Sequence, residues 1–496
     1  MSTVVSTTVA RHHHIFPGAS EPSADLPIYE RLAPYGGAVV AEVTLGTRED
    51  VEKAIAVVRR EFDSGRWPQL AGQERTAILL RWAELTREHL EEIARIEVTE
   101  VGKPIAAARG EVGAIIQLIE RAAYAGSALS GQSFDDMGGA DTAIIRREPV
   151  GVVGAIVPWN FPGLLFVQKA AFALAAGNTV VAKPSEFTSG SAILLTRLAH
   201  EAGVPETALT LVTGFGQDVG QPLAESTDVD VLTFTGSTAT ANVLAAVKRP
   251  FPQRQHLELG GKGATVVFAD ADLDAAVDAA LFGFCINQGE TCTAGTRLLI
   301  QRPIADEFLN RLAAAAARLK VGNPWEEDTQ IGPMIHADHH RRVLERIELA
   351  VREGASIVGD PSSDRIDEDG SGFVRPTILN DVRPSHAAFQ QEIFGPVLAV
   401  TPFDTAEEAL ELANGTMYGL ANSVWTADVP LALRLARRIN SGTVWINAIH
   451  ADRALLPFGG NKASGFGREK AQLGVEEFTQ LKTITIQLAP NAPFYG

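Results

Sequence analysis

Asn178–Glu186 reads NTVVAKPSE, a β-branched run that ends on a lysine, a proline and an acid. Three neighbouring stretches have the same build: Ala143–Asn160 (AIIRREPVGVVGAIVPWN), Thr210–Gly216 (TLVTGFG) and Asp230–Ser237 (DVLTFTGS). Helix-like segments such as Ser189–Ala202 separate them. Short strands alternating with helices predict a parallel α/β sheet that binds ligands at the carboxyl ends of its strands. A second alternating series follows Glu258, through Ala264–Asp270 (ATVVFAD), Arg297–Gln301 (RLLIQ), Val397–Phe403 (VLAVTPF) and Gly442–Asn447 (GTVWIN). The reading is α/β, with two parallel-sheet domains.

Other segments fit around these sheets. Thr47–Gly65 has a threonine cap, acids in its first turn and apolar residues at helical spacing. Gly72–Pro104 reads as one long helix stopped by Gly102 and Pro104. Residues 360–372 and 382–391 read as surface connections. Asp141–Arg147 and the C-terminal LKTITIQLA are short alternating strands, expected to pair and offer an edge to another subunit.

With 496 residues, more than one core is expected. Acids outnumber Lys and Arg by 60 to 43, a net charge of −17, which argues against nucleic acid or an anionic membrane as partner. The longest apolar region, Val152–Lys183, is broken by Pro158, Asn160, Pro162 and Lys169, so no bilayer span is expected. Two cysteines outside any CxxC pattern point to a reducing, cytoplasmic home. The first ten residues lack a secretory pattern. The histidines of Arg11–His14 read as part of a disordered polar tail, and no metal site is expected.

Several positions carry chemistry. Lys183 and Glu186 follow one strand; a carboxylate there suits a ribose diol and repels a 2′-phosphate, favouring NAD over NADP. Gly214 and Gly216 read as turn glycines after a second strand. Ser237 follows a third, where a helix start welcomes an anion. A turn residue alone explains each of these; their repetition at successive strand ends favours a nucleotide. Glu258 sits between Leu257 and Leu259, so its carboxyl is expected to be desolvated and raised towards general-base range; a solvated edge acid is the alternative. Asn160, within PWNFP, offers an amide to an oxyanion or, equally, to a helix cap. Cys292 lies in a polar glycine-punctuated loop, NQGETCTAGTR, whereas Cys285 lies among apolar residues. That contrast reads Cys292 as a nucleophile and Cys285 as packing.

Seven stretches in order, PWNFP, KPSE, FTGS, ELGGK, GETC, EIFGPV (Glu392–Val397) and PFGGNKASGFGRE (Pro457–Glu469), resemble the NAD(P)-dependent aldehyde dehydrogenase family, its non-acylating members above all. The likeness runs from about Arg48 to Lys482. It implies a Rossmann-like NAD-binding domain (1–128 and 150–257), a catalytic thiol domain (258–465) and a small β oligomerisation arm (129–149 and 466–496). It also implies a homodimer or homotetramer. Cys292 is then the nucleophile, Glu258 the general base, and Asn160 with the Cys292 N–H the oxyanion donors. Trp159, Lys183, Glu186, Gly216, Gly236, Ser237, Leu259, Glu392 and Phe394 are expected around NAD, with Glu392 on the nicotinamide ribose.

Departures from the family pattern are Ala241, where a glycine is common, and Gln472, where the resemblance places a proton-relay glutamate. The substrate tunnel is expected to use Phe161, Gln168, Thr291, His450, Arg453 and Phe458, with Arg453 or His450 meeting a polar or anionic aldehyde. The competing readings are a CoA-acylating enzyme, a cysteine hydrolase and a silent structural protein; Glu258 and the absence of an obvious histidine partner for Cys292 weigh against the first two. Retention of Cys292, Glu258, Asn160 and Glu392 weighs against the third.

Overall fold

The computed structural model describes residues 9–19, 26–135, 141–359, 364–366, 370–451 and 453–488. Two sheets organise the chain. The first runs in the order Gly465–Phe466, Arg254–Glu258, Val231–Thr235, Val152–Ile156, Thr179–Lys183, Leu209–Leu211. All its neighbours pair in parallel except the short Gly465–Phe466, which is antiparallel. This is the α/β alternation expected from NTVVAKPSE and its neighbours. Strands Val152–Ile156 and Thr179–Lys183 are buried at every position, as a sheet covered on both faces requires.

Helix Pro162–Ala175 covers one face. It is apolar nearly all round and buried along almost its whole length, because outer helices including Ile105–Ser127 cover its far side. Phe166 and Phe172 of this helix are fully buried; truncating either to alanine costs about 3–5 kcal/mol.

The second sheet has the order Ser356–Val358, Thr377–Asn380, Val397–Phe403, Arg297–Gln301, Ala264–Val267, Ala421–Trp425, Thr443–Ile446. Only its edge strand Ser356–Val358 is antiparallel. The turn 259–263 joins the two sheets directly. Strand Thr479–Gln487 pairs antiparallel with Asp141–Pro149, the central strand of a three-stranded sheet whose other edge is Gln132–Phe134, so the two alternating segments are neighbours. Leu481, Ile484 and Ile486 on it are exposed. Residues 471–478 pack elsewhere: Val475 and Phe478 are buried in the core beneath helix Pro162–Ala175.

Helix Arg48–Ser64 starts at the expected capping box, in which Thr47 accepts from the Asp50 N–H and Asp50 accepts from the Thr47 N–H. Other expectations fail. Gly72–Pro104 is two helices, Gly72–Glu88 and Leu90–Val101, broken at His89, whose backbone leaves helical geometry. The helical N-terminal third also carries an unforeseen three-stranded sheet, Ala10–His12, Val39–Thr44 and Ile28–Leu32.

The histidines are not a solvated tail: His12, His13 and His14 are all buried. His12 Nε2 lies 2.5 Å from Glu100, His13 bonds Thr44, and His14 bonds Thr213. Burial, with His13 nearby, holds His14 down to about 4. Among the described residues no group of metal-ligating side chains is assembled. The connection 382–391 is not all surface, because Val382, Ala388 and Phe389 are core residues. Much of 360–372 lies outside the described residues; its described parts form a hairpin of Asp364–Ile366 with Gly372–Val374. No described helix is long and apolar enough to cross a membrane.

Candidate active site

The first sheet's parallel strands bring their carboxyl ends to one edge, and three of those ends open onto a cavity of about 580 Å³. Pro158–Asn160 extend from strand Val152–Ile156, Gly236 and Ser237 from Val231–Thr235, and Leu259 and Gly260 from Arg254–Glu258. All of these line the cavity, and Cys292, Glu392 and Phe394 come to it from the second sheet's loops. Gly260 and Gly261 make that meeting sterically feasible. A Cβ at Gly260 would stand 2.2 Å from Glu392 Oε2, and one at Gly261 would stand 2.2 Å from the Cys292 carbonyl. Glycine is required there by close approach.

Helix Leu273–Cys285 ends just before the cysteine loop. Asn287 (φ 50°) and Gln288 (φ 58°) then take left-handed backbone, a conformation that costs about 1–3 kcal/mol per non-glycine residue and persists where neighbours enforce it. The enforcing bonds are present. Asn160 Nδ2 donates to the Glu290 carbonyl at 2.9 Å, and Asn287 Nδ2 donates to the Asn160 carbonyl at 3.1 Å. The buried Glu290 carboxyl accepts from the Ile335 N–H at 3.0 Å, and burial pushes it well above the carboxylate range. The Asn160 amide has a second N–H beyond the one it gives to Glu290. Cys292 is half-buried on the cavity wall. Cys285 is buried in the core and away from the cavity lining, with burial pushing its thiol well up. Neither is in a disulfide.

Glu258 ends its strand 3% exposed, and its oxygens take no hydrogen bond from a described residue. Burial, then the charge of Glu469, drives its carboxyl well above the ordinary range, against the pull of Lys169, Arg468 and Lys470. Glu258 does not itself line the cavity; the adjoining Leu259 and Gly260 do.

Glu469 is the buried carboxylate beside it. Burial raises Glu469 too, but its ion pair with Lys169 and a hydrogen bond from Gln168 outweigh that and hold it below the usual value. Two neighbouring carboxyls are thus pushed apart, one towards the protonated form and one kept ionised. The resemblance sought this second carboxylate at Gln472; the structure places Glu469 there, with Gln472 half-buried one turn on.

On the Glu392 side, that carboxylate accepts from the Gly261 N–H at 3.0 Å and is pushed up to about 7 by burial. Trp159 stands edge-on to Phe394 and to His339. Ser237 lines the cavity at the start of helix Thr238–Ala245, with its hydroxyl accepting from the Thr240 N–H as the cap. Lys183 and Glu186 pair at 3.1 Å on the same sheet edge but outside the cavity lining. Of the two expected turn glycines only Gly214 needs to be one, with φ +140° and Gly46 packed against it; Gly216 opens a helical turn with free space around it.

Sequence reading missed His339, Arg342 and Arg346, which also line the cavity. Their spacing of three and four residues on helix Ala337–Arg352 puts them on one face. His339 donates from Nε2 to the Phe394 carbonyl at 2.7 Å, and burial holds it down to about 4.

Of the expected substrate residues, Phe161, Gln168, Thr291, His450 and Phe458 line the cavity. Gln168 turns its amide to Glu469, and Thr291 donates to the Ile286 carbonyl. Arg453 does not take part: it is exposed and outside the lining, and Asp452 lies outside the described residues. The cation that does reach this end is Lys470, which sequence reading passed over.

Residues 22–484 match the family described as "Aldehyde dehydrogenase family". The chain is 41% identical to a betaine aldehyde dehydrogenase of Bacillus subtilis (strain 168), over 93% of this chain and 94% of the relative. Its fold superposes on the crystal structure of an NAD-dependent aldehyde dehydrogenase from Sinorhizobium meliloti with TM-score 0.96 and 40% identity, covering 98% and 97% of the two chains. A betaine aldehyde dehydrogenase from Staphylococcus aureus, crystallised with NAD+, matches with TM-score 0.94 and 35% identity over 98% and 96%.

Proposed function

The chain belongs to the aldehyde dehydrogenase family, and we propose that it oxidises an aldehyde to the carboxylic acid with NAD through a covalent intermediate on Cys292. One observation carries this reading. Cys292, the Asn160 amide and Glu392 share a single cavity, while Glu258, with its raised carboxyl, is buried behind the wall.

Each residue's part follows from its chemistry. The Cys292 thiolate attacks the carbonyl carbon, and the oxyanion accepts from the second Asn160 N–H and from the Cys292 N–H. NAD, when bound, accepts the hydride. The acyl group left on Cys292 is a thioester. Glu258 as carboxylate takes a proton from the water that attacks it, and the acid leaves as the thiol is regenerated. Glu469, kept ionised by Lys169, raises the basicity of Glu258 by its charge.

The residues present fit NAD: a buried carboxylate, Glu392, faces the cavity against Gly260, and the helix start at Ser237 lines the same cavity. Glu392 would hold the ribose nearer the reacting end, with Trp159, Leu259 and Phe394 packed around it. Gly236 and Ser237 would face phosphate, while Lys183 and Glu186 would take the second ribose beyond the cavity, past Gly216. The NAD+ complex of the Staphylococcus relative supports this choice of cofactor. The division into an NAD-binding domain, a thiol domain and a β arm that pairs subunits belongs to the same proposal, as does a cytoplasmic location.

NADH absorbance measured over an aldehyde panel, with and without coenzyme A, tests the reading. NADH formation without coenzyme A is expected. Strict dependence on coenzyme A would replace the hydrolytic step with acyl transfer, and silence across the panel would remove the activity.

A further inference from the structure

The cations near Glu258 are nearly all committed. Lys169 is held by Glu469, and Arg468 gives its guanidinium to the Gly460 and Gly467 carbonyls and to Asn461. Lys470 differs. It is only 9% exposed and lines the cavity, yet its Nζ makes no salt bridge or hydrogen bond with a described residue. That Nζ sits 4.5 Å from the centroid of the Phe458 ring.

The placement is built into the backbone. Phe458 and Glu469 exchange N–H···O bonds of 2.8 and 2.7 Å, and Lys470 then takes φ 62°, left-handed for a lysine. Phe161, Leu164, Leu165 and Phe458 give the same cavity apolar lining, and the acid on which the Lys470 charge acts is the buried Glu258 behind the wall. An ammonium in such a wall is costly unless an anion meets it.

We propose that Lys470 is the specificity residue of the substrate end, receiving the distal carboxylate of an aldehyde that carries a second, anionic group. The proposal rests on the aldehyde-oxidising reading above and deepens it. A carboxylate would form a charge-assisted bond to Nζ while its carbon chain lies against Phe458 and Phe161. A quaternary-ammonium aldehyde is disfavoured twice over. It would meet a like charge, and the Phe458 face that could hold it by cation–π attraction is already covered by Lys470. The proposal moves the expected anion contact from the exposed Arg453 to a cation on the cavity wall.

The test compares wild type, Lys470→Met and Lys470→Arg on succinic semialdehyde, butanal and betaine aldehyde. Wild type is expected to favour succinic semialdehyde in kcat/KM. Lys470→Met should raise KM for it about tenfold more than for butanal, and Lys470→Arg should recover most of that loss. A parallel arm needs no turnover: succinate should protect Cys292 from iodoacetamide at lower concentration than butyrate, and Lys470→Met should erase the difference.

A Met variant that shifts both aldehydes alike, or a wild type preferring betaine aldehyde, overturns the proposal while leaving aldehyde oxidation intact. If no aldehyde yields NADH yet succinate protection still depends on Lys470, the redox reading falls and the anion site stands.

Discussion

Lys169 Nζ lies 2.5 Å from Glu469 Oε1, a fully buried ion pair whose two ends come from residues 300 positions apart. Its importance is the neighbour it acts on. The ionised Glu469 is the charge that, after burial, contributes most to raising Glu258.

Glu469→Gln removes that charge and leaves Lys169 and Lys470 to stabilise the Glu258 carboxylate. Glu258 should then titrate lower. Because the base works deprotonated, activity rises with pH through its pKa, so the acid limb of the kcat profile should move to lower pH. A limb that stays in place, or moves up, would show that Glu469 does not act on Glu258 through charge.

Lys103, 1% exposed, bridges the buried carboxylates of Glu97 and Glu111 and stacks its Nζ 4.8 Å from the Phe161 ring centroid. Lys103→Met should cost about 3–5 kcal/mol, because it leaves two buried acids without their cation. Chemical denaturation should report it as a lower midpoint at unchanged slope.

Glu186→Ser should narrow the preference for NAD. The carboxylate pairs with Lys183, and removing it relieves repulsion of a 2′-phosphate while freeing a lysine to meet one. The ratio of kcat/KM for the two cofactors is the readout; a higher native value with NADP would remove Glu186 from the ribose.

The two cysteines should separate cleanly. Cys292→Ala should abolish aldehyde oxidation and retain NAD binding by fluorescence titration. Cys285→Ala, in the core against Phe284 and Leu281, should keep turnover and lose some stability.

How much of this could be read from the chain depends on the element. The first sheet was legible because each β-branched run stops at a polar residue, and the parallel rule puts those stops on one edge. The burial of Glu258 was legible from its two leucine neighbours, and the contrast between Cys292 and Cys285 from theirs.

The second sheet is different. Cys292 and Glu392 precede their strands, Arg297–Gln301 and Val397–Phe403, so the carboxyl-end rule is silent on them. They join the site across Gly260 and Gly261, a contact no local pattern encodes. Lys169 and Glu469 also meet only through tertiary packing, and so do Lys470 and Glu258. Arg453 misled because charge beside an apolar loop looks the same whether it faces a cavity or water. The histidines of 12–14 looked solvated for a related reason: Glu100, Thr44 and Thr213, which hold them, are distant in sequence.

The central claim is that the aldehyde carbon passes through a bond to Cys292 that Glu258 is needed to break. The most direct test is peptide mass spectrometry of Glu258→Gln incubated with NAD and an aldehyde and then quenched with acid. The account predicts one acyl group per chain, on the peptide containing Cys292, accompanied by a burst of NADH and slow turnover. No adduct, or an adduct on any other residue, would contradict it.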